Sequence, residues 1–60
     1  MSEDYERCRV TAGKLYQKAM IVLESGAVGR AKDLLKVALV YDSTLTDARK
    51  VLEELEFKNQ

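Results

Sequence analysis

The sequence predicts an all-α fold of three antiparallel helices, a helix–turn–helix hairpin followed by a third, capping helix, in one domain spanning residues 1–60. Three observations predict it. Apolar residues recur at helical period through three stretches of the chain. Turn-forming residues, Gly26 and then Asp42-Ser43-Thr44, separate those stretches. No strand pattern competes seriously with that spacing.

The first helix is expected over about residues 3–25. Tyr5, Cys8, Ala12, Leu15, Ala19 and Val22 are spaced 3, 4, 3, 4, 3, the seam of one helical face. Ser2 can act as N-cap, and Glu3, Asp4 and Glu6 suit the positive end of the helix dipole. Gly13 lies inside at a cost of about 1 kcal/mol relative to alanine. Gly26 stands where a left-handed C-terminal cap belongs. At 1.5 Å per residue the helix is roughly 33 Å long, which is long for so small a chain.

The second helix is expected over about 28–41, with Ala31, Leu34, Leu35, Ala38 and Leu39 on its apolar face. Val37 to Tyr41 is β-prone in isolation, but the helical face runs straight through it. Asp42-Ser43-Thr44 supplies turn formers, and Ser43 or Thr44 can cap the third helix. That helix, about 46–57, gathers Leu45, Ala48, Leu52 and Leu55, with Val51 beside them. Arg49 with Glu53, and Lys50 with Glu54, form i,i+4 pairs on its outer face, each worth tenths of a kcal/mol. Lys58-Asn59-Gln60 reads as a polar tail. Both connections are short, so neighbouring helices run antiparallel and in contact.

Size adds a constraint of its own. A chain of 60 residues buries only about 60% of the surface its unfolded form exposes. Chains this small usually need a disulfide, a metal or association to be stable. One cysteine and no histidine leave association, with a partner or with itself. Ten basic and ten acidic residues cancel, which favours association and argues against nucleic acid, whose binders carry a basic excess on one face. Val37 to Tyr41, the longest apolar run, is far short of the roughly 20 residues that span a bilayer. The acidic start Met1-Ser2-Glu3-Asp4 is unlike a secretory signal, and the unpaired Cys8 suits a reducing compartment. A cytoplasmic location is therefore expected.

Small residues mark where the first two helices meet. Ala19, Ala31 and Ala38 fall on the facing stripes, and Ala31 and Ala38 are seven apart on one side. Alanines at a crossing let backbones approach closely, while Leu15, Val22 and Leu35 fill the space around them.

In this arrangement the sequence resembles the tetratricopeptide repeat, a 34-residue helical hairpin. With Gly26-Ala27-Val28-Gly29-Arg30-Ala31 set on the turn of that family, one repeat covers Ala12 to Leu45. Leu15, Ala19 and Val22 then take the large, small and large positions of helix A. Ala31, Leu35 and Ala38-Leu39 match those of helix B, and Asp42-Ser43 stands where the family usually has Asp-Pro. A following helix A begins near Thr46, with Ala48 third and Leu52 on the next core position. The match covers residues 12–58, one repeat plus a capping helix. Lys18 and Ser43 depart from the usual leucine and proline. Microtubule-interacting-and-transport domains share a similar first hairpin, but with a longer second helix.

In tetratricopeptide repeats helix A lines the concave surface. Carried over by position, that surface comprises Gly13, Tyr16, Met20 and Leu23 on the first helix and Asp47, Lys50, Glu54 and Phe57 on the third. The spacing points the same way: with Ala12, Leu15, Ala19 and Val22 in the core, Tyr16, Met20 and Leu23 form a second apolar stripe at intervals of 4 and 3. Tyr5 and Cys8 extend past the hairpin. The expected partner-binding residues are Tyr5, Tyr16, Met20, Leu23, Lys50, Glu54 and Phe57, with methionine adapting its shape and aromatics anchoring.

Catalysis is not expected. Without histidine, acid–base work falls to a carboxylate or lysine needing a deep pocket. Glu53, Glu54 and Glu56 read as a solvated face. Arg7 and Arg9 point away from Cys8, which reads as a buried thiol. Arg7, Arg9, Lys14 and Lys18 give helix one a mild basic side suited to an acidic partner. Gly26-Ala27-Val28-Gly29 lacks the Lys-Ser/Thr of a phosphate loop. No cofactor, catalytic residue or metal ligand is expected. The reading is a non-enzymatic interaction module, an adaptor or small chaperone-like subunit holding a helix or extended peptide. The alternatives are a homo-oligomer built through the long first helix and a microtubule-interacting-and-transport-like binding domain.

Overall fold

A computed structural model describes the backbone of residues 2–58 and the side chains of residues 4–58. It is all-α: α1 spans Ser2–Glu24, α2 Val28–Tyr41 and α3 Thr46–Lys58. The expected helix boundaries and the observed ones differ by a single residue at most. Ser2, read as a cap outside the first helix, is its first helical residue, and its side chain lies outside the described residues. Of the polar tail, Lys58 belongs to α3, while Asn59 and Gln60 lie outside the described residues.

Backbone geometry at the first turn explains the hairpin. Gly26 adopts φ 96°, the left-handed region open to glycine. Its N–H donates to Leu23 O at 3.0 Å and that of Ala27 to Val22 O at 3.2 Å, the paired bonds of a Schellman motif. Ala27 follows at φ −84°, ψ 72°, and Val28 N–H donates to Gly26 O at 3.0 Å, an inverse γ-turn. Two tight turns in succession reverse the chain within three residues.

The hairpin is held by an alanine seam. Ala12 and Ala19 on α1, and Ala31 and Ala38 on α2, are wholly buried. Leu35 is the one large side chain among the fully buried described residues. It sits with Ala19 and Ala48 at the centre of a cluster on which Tyr16, Leu34, Leu39, Leu45, Val51, Leu52 and Leu55 pack while staying half-buried. Those neighbours come from all three helices. α1 packs against α2 and α2 against α3, whereas α1 and α3 approach each other only slightly.

α1 has 23 residues and α2 has 14. At 1.5 Å per residue α1 is longer by about 13 Å, and the outermost turns of α1, carrying Tyr5, reach past the hairpin. Extents of 40 × 19 × 13 Å reflect that overhang.

The second turn is organised by Asp42, which is only 8% exposed. Its N–H closes α2 on Ala38 O at 2.9 Å, and its own carbonyl accepts from Leu45 N–H at 3.2 Å. Oδ1 accepts from Thr44 N–H at 3.0 Å and from Thr44 Oγ1 at 2.5 Å, an Asx-turn. Thr44 therefore spends its hydroxyl on Asp42 instead of capping α3. Arg49, expected to pair with Glu53, donates from Nη2 to Ser43 O at 3.1 Å. α2 and α3 are further linked by Lys36 Nζ and Glu56 Oε2, 3.9 Å apart.

Candidate functional site

The residues expected to bind a partner fall into three groups. Tyr5 is 57% exposed on the overhang of α1. The guanidinium carbon of Arg9, one turn on, lies 5.8 Å from its ring centroid, within reach of a cation–π contact. Tyr16, Met20 and Leu23 follow along α1, all half-buried. Tyr16 packs against the central cluster, so part of the second apolar stripe is absorbed by the fold itself. Lys50, Glu54 and Phe57 line one shallow hollow on α3, together with Glu53. Phe57 is 77% exposed there. The described hollows do not join the α1 and α3 groups, each of which lies along its own helix.

Other exposed apolar residues lie outside the face expected from the sequence. Val10 and Ile21 on α1, the latter 68% exposed, and Val37, Val40 and Tyr41 on α2 all stand open. Val10 and Ile21 are eleven apart, three turns along one row, on the side of α1 opposite Ala12 and Ala19. A helical projection of the sequence carries that signal. A second shallow hollow lies between α1 and α2, lined by Lys18, Arg30, Asp33, Leu34 and Val37. Two more run along the N-terminal half of α1, one of them reaching Asp42 and Leu45. Cys8, read as buried, is half-buried.

Among the described residues, Asp42 has a perturbed titration. The hydroxyl and backbone N–H of Thr44 hold its carboxyl below the usual carboxylate range, against the opposing effect of burial. Arg9 adds a smaller contribution, its Nε 4.0 Å from Oδ2. Thr44 belongs to the turn itself and Arg9 ties that turn to α1, so Asp42 is a structural carboxylate. Among the described residues no group of three Cys, Asp or Glu side chains is placed to hold a metal ion. No described helix is long and apolar enough to cross a membrane.

No family model, curated protein or solved structure matches the chain.

Proposed function

We propose that this chain is a non-enzymatic protein-interaction module, similar in design to a single tetratricopeptide repeat with a capping helix, that holds a helix or extended segment of a partner on the faces of α1 and α3. One observation carries the reading: the fold leaves most of its large apolar side chains unfinished. Leu35 is the single large side chain fully buried among the described residues. The accessible surface is 4583 Å² for 6.8 kDa, whereas a compact monomer of that mass exposes about 4000 Å².

The burial of Ala19, Ala31, Ala38 and Ala48 supports the repeat-like design, since those are the small positions of that register. Met20, Leu23 and Phe57 support the partner face, because none of them is taken up by the central cluster. Tyr5 offers an aromatic anchor beyond the hairpin.

The test is site-directed photocrosslinking in an extract of the native source. A photoreactive residue at Met20 or Phe57 is expected to trap one partner chain, and the same residue at Glu24 or Val40 is not. A purified chain that is a thermally robust monomer, binds no apolar dye and crosslinks alike from all four positions overturns the reading.

A further inference from the structure

The two turns of the chain are closed by different means. Gly26 locks the first, because its φ of 96° has no place in a helix. The second has no such lock. Gly26 alone has a positive φ among the described residues, and from Arg30 to Gln60 the sequence holds neither glycine nor proline. Side chains close this turn instead. Asp42 is extended, at φ −147° and ψ 95°, and its Oδ1 accepts from the N–H and the hydroxyl of Thr44. Arg9 of α1 stands 4.0 Å from Oδ2, and Arg49 of α3 donates to Ser43 O at 3.1 Å.

The buried row runs straight through the turn. Leu35, Ala38, Asp42, Leu45, Ala48 and Leu52 stand at steps of 3, 4, 3, 3 and 4, all buried or half-buried, the pattern of one continuous helix. The repeated step of 3 at Leu45 is a stammer, which a coiled pair absorbs by overwinding locally. Asp42 is the one polar member of the row. We infer that α3 is exchangeable: the turn at residues 42–45 straightens, fuses α2 and α3 into one helix and seats α3 on the α2 of a second copy, with Asp42 as the latch that keeps α3 folded back on its own chain.

Exchange reuses an interface the chain already has. α3 packs on α2 and barely touches α1, so the cluster that joins Leu35 to Ala48 and Leu52 re-forms between copies with the same partners. A second gain comes from the overhang of α1. Arg9 faces Asp42, and one further turn along each helix sets Tyr5 level with Thr46. A straightened α2–α3 helix therefore runs beside the overhang and shelters Tyr5, which is 57% exposed in the folded-back chain.

Asp42 opposes both gains. In a straight helix its carboxylate gives up Thr44 and stands in the apolar row with Arg9 alone for company. The two-fold axis of the exchanged pair passes through the turn, so the Asp42 carboxylates of the two copies approach as like charges. The inference goes beyond the partner reading and does not rest on it.

Sedimentation velocity and amide hydrogen exchange on the full chain test it. The wild-type chain is expected to be a monomer at low micromolar concentration, with fast exchange at Ser43 and Thr44. Asp42→Leu is expected to strengthen dimer formation about tenfold or more and to slow exchange at Ser43, Thr44 and Leu45, which then lie inside a helix. Ser43→Ala/Thr44→Ala keeps Asp42 but removes its hydroxyl partner and raises the helix propensity of the turn, so it is expected to shift the chain the same way by less. Adding Ser43→Gly/Thr44→Gly to Asp42→Leu is expected to lower the dimer fraction again. Whichever of the Asp42→Leu and double-alanine variants folds, a dimer fraction no higher than that of the wild type overturns the inference. So does a dimer whose exchange at Ser43–Leu45 stays as fast as in the monomer, because such a dimer forms by surface contact with α3 still folded back.

Discussion

Leu35→Ala tests the claim that one side chain carries the core. Leu35 is fully buried and touches the cluster into which all three helices feed. Removing a buried leucine down to alanine costs about 2–5 kcal/mol, the upper part of the range applying where surroundings cannot collapse. The other buried members of the cluster are Ala19 and Ala48, but half-buried leucines such as Leu39, Leu52 and Leu55 also pack on it and can partly relax into the void, so the cost belongs near the middle of the range, about 3 kcal/mol. Native stabilities of roughly 0.05–0.15 kcal/mol per residue give about 3–9 kcal/mol for a chain of this length. Leu35→Ala therefore removes between about a third of the stability and all of it. Leu55→Ala, at a half-buried site on the same cluster, is expected to cost about 1–2 kcal/mol. Urea unfolding followed by circular dichroism at 222 nm measures both. With a slope near 1 kcal/mol per molar urea, the Leu35 variant loses at least about 2 M in midpoint or is unfolded without denaturant. Repeating the titration at tenfold higher protein concentration separates the contribution of association. If Leu35→Ala shifts the midpoint no further than Leu55→Ala does, the core is not centred where the structure puts it.

The glycines predict opposite signs. A Cβ on Gly13 meets nothing within 4 Å and the backbone there is helical, so Gly13→Ala is expected to stabilise by about 0.5–1 kcal/mol. Gly26→Ala also finds open space, but its φ of 96° strains any side chain, and a loss of about 1 kcal/mol or more in thermal unfolding is expected. Asp42 links stability to pH. Its folded pKa lies below the unfolded one, so its contribution is present above the unfolded value and is lost as pH falls through the folded value. Melting temperature should hold from pH 8 to 5 and fall below about pH 4. Asp42→Asn keeps the Oδ1 acceptor and flattens that fall; an unchanged acid profile in the variant rules the role out. Tyr16→Glu should destabilise the fold because the ring packs on the central cluster, whereas Phe57→Glu, at an exposed site, should leave the stability within about 0.5 kcal/mol of wild type.

How much of this was legible in the sequence depends on range. Helix boundaries and the alanine seam depend on residues within a few turns of one another, and spacing alone locates them. Gly26 is legible for the same reason, since only glycine enters the left-handed region without strain. The Asx-turn was not, because Ser43, Thr44 and Asp42 all favour both turns and caps, and only tertiary placement decides which hydroxyl goes where. The expected α1–α3 surface divides along the same line. Tyr16, Met20 and Leu23 share a row by helix geometry, as do Lys50, Glu54 and Phe57. Whether the two rows meet depends on the tilt of α3, which leans on α2 and barely touches α1. The hairpin groove combines Lys18 with residues twelve or more positions away, and no local pattern announces it.

The alanine seam is also the reason the molecule has surface to offer. Four buried alanines, Ala12, Ala19, Ala31 and Ala38, let α1 and α2 approach closely, which tightens backbone packing but leaves little volume between them for larger groups. Leucines and valines displaced from that crossing stand on its flanks, where a third helix of 13 residues covers one side only. On the other side Leu15 and Val22 stay half-buried beside Lys18, and Leu34 and Val37 line the groove with Arg30. Widening the crossing would draw those side chains inward and close the core within one chain. Narrow crossing and open flank are thus one choice of residues, and Ala31→Leu, by forcing α1 and α2 apart at a fully buried site, should weaken the hairpin and lower the melting temperature followed by circular dichroism.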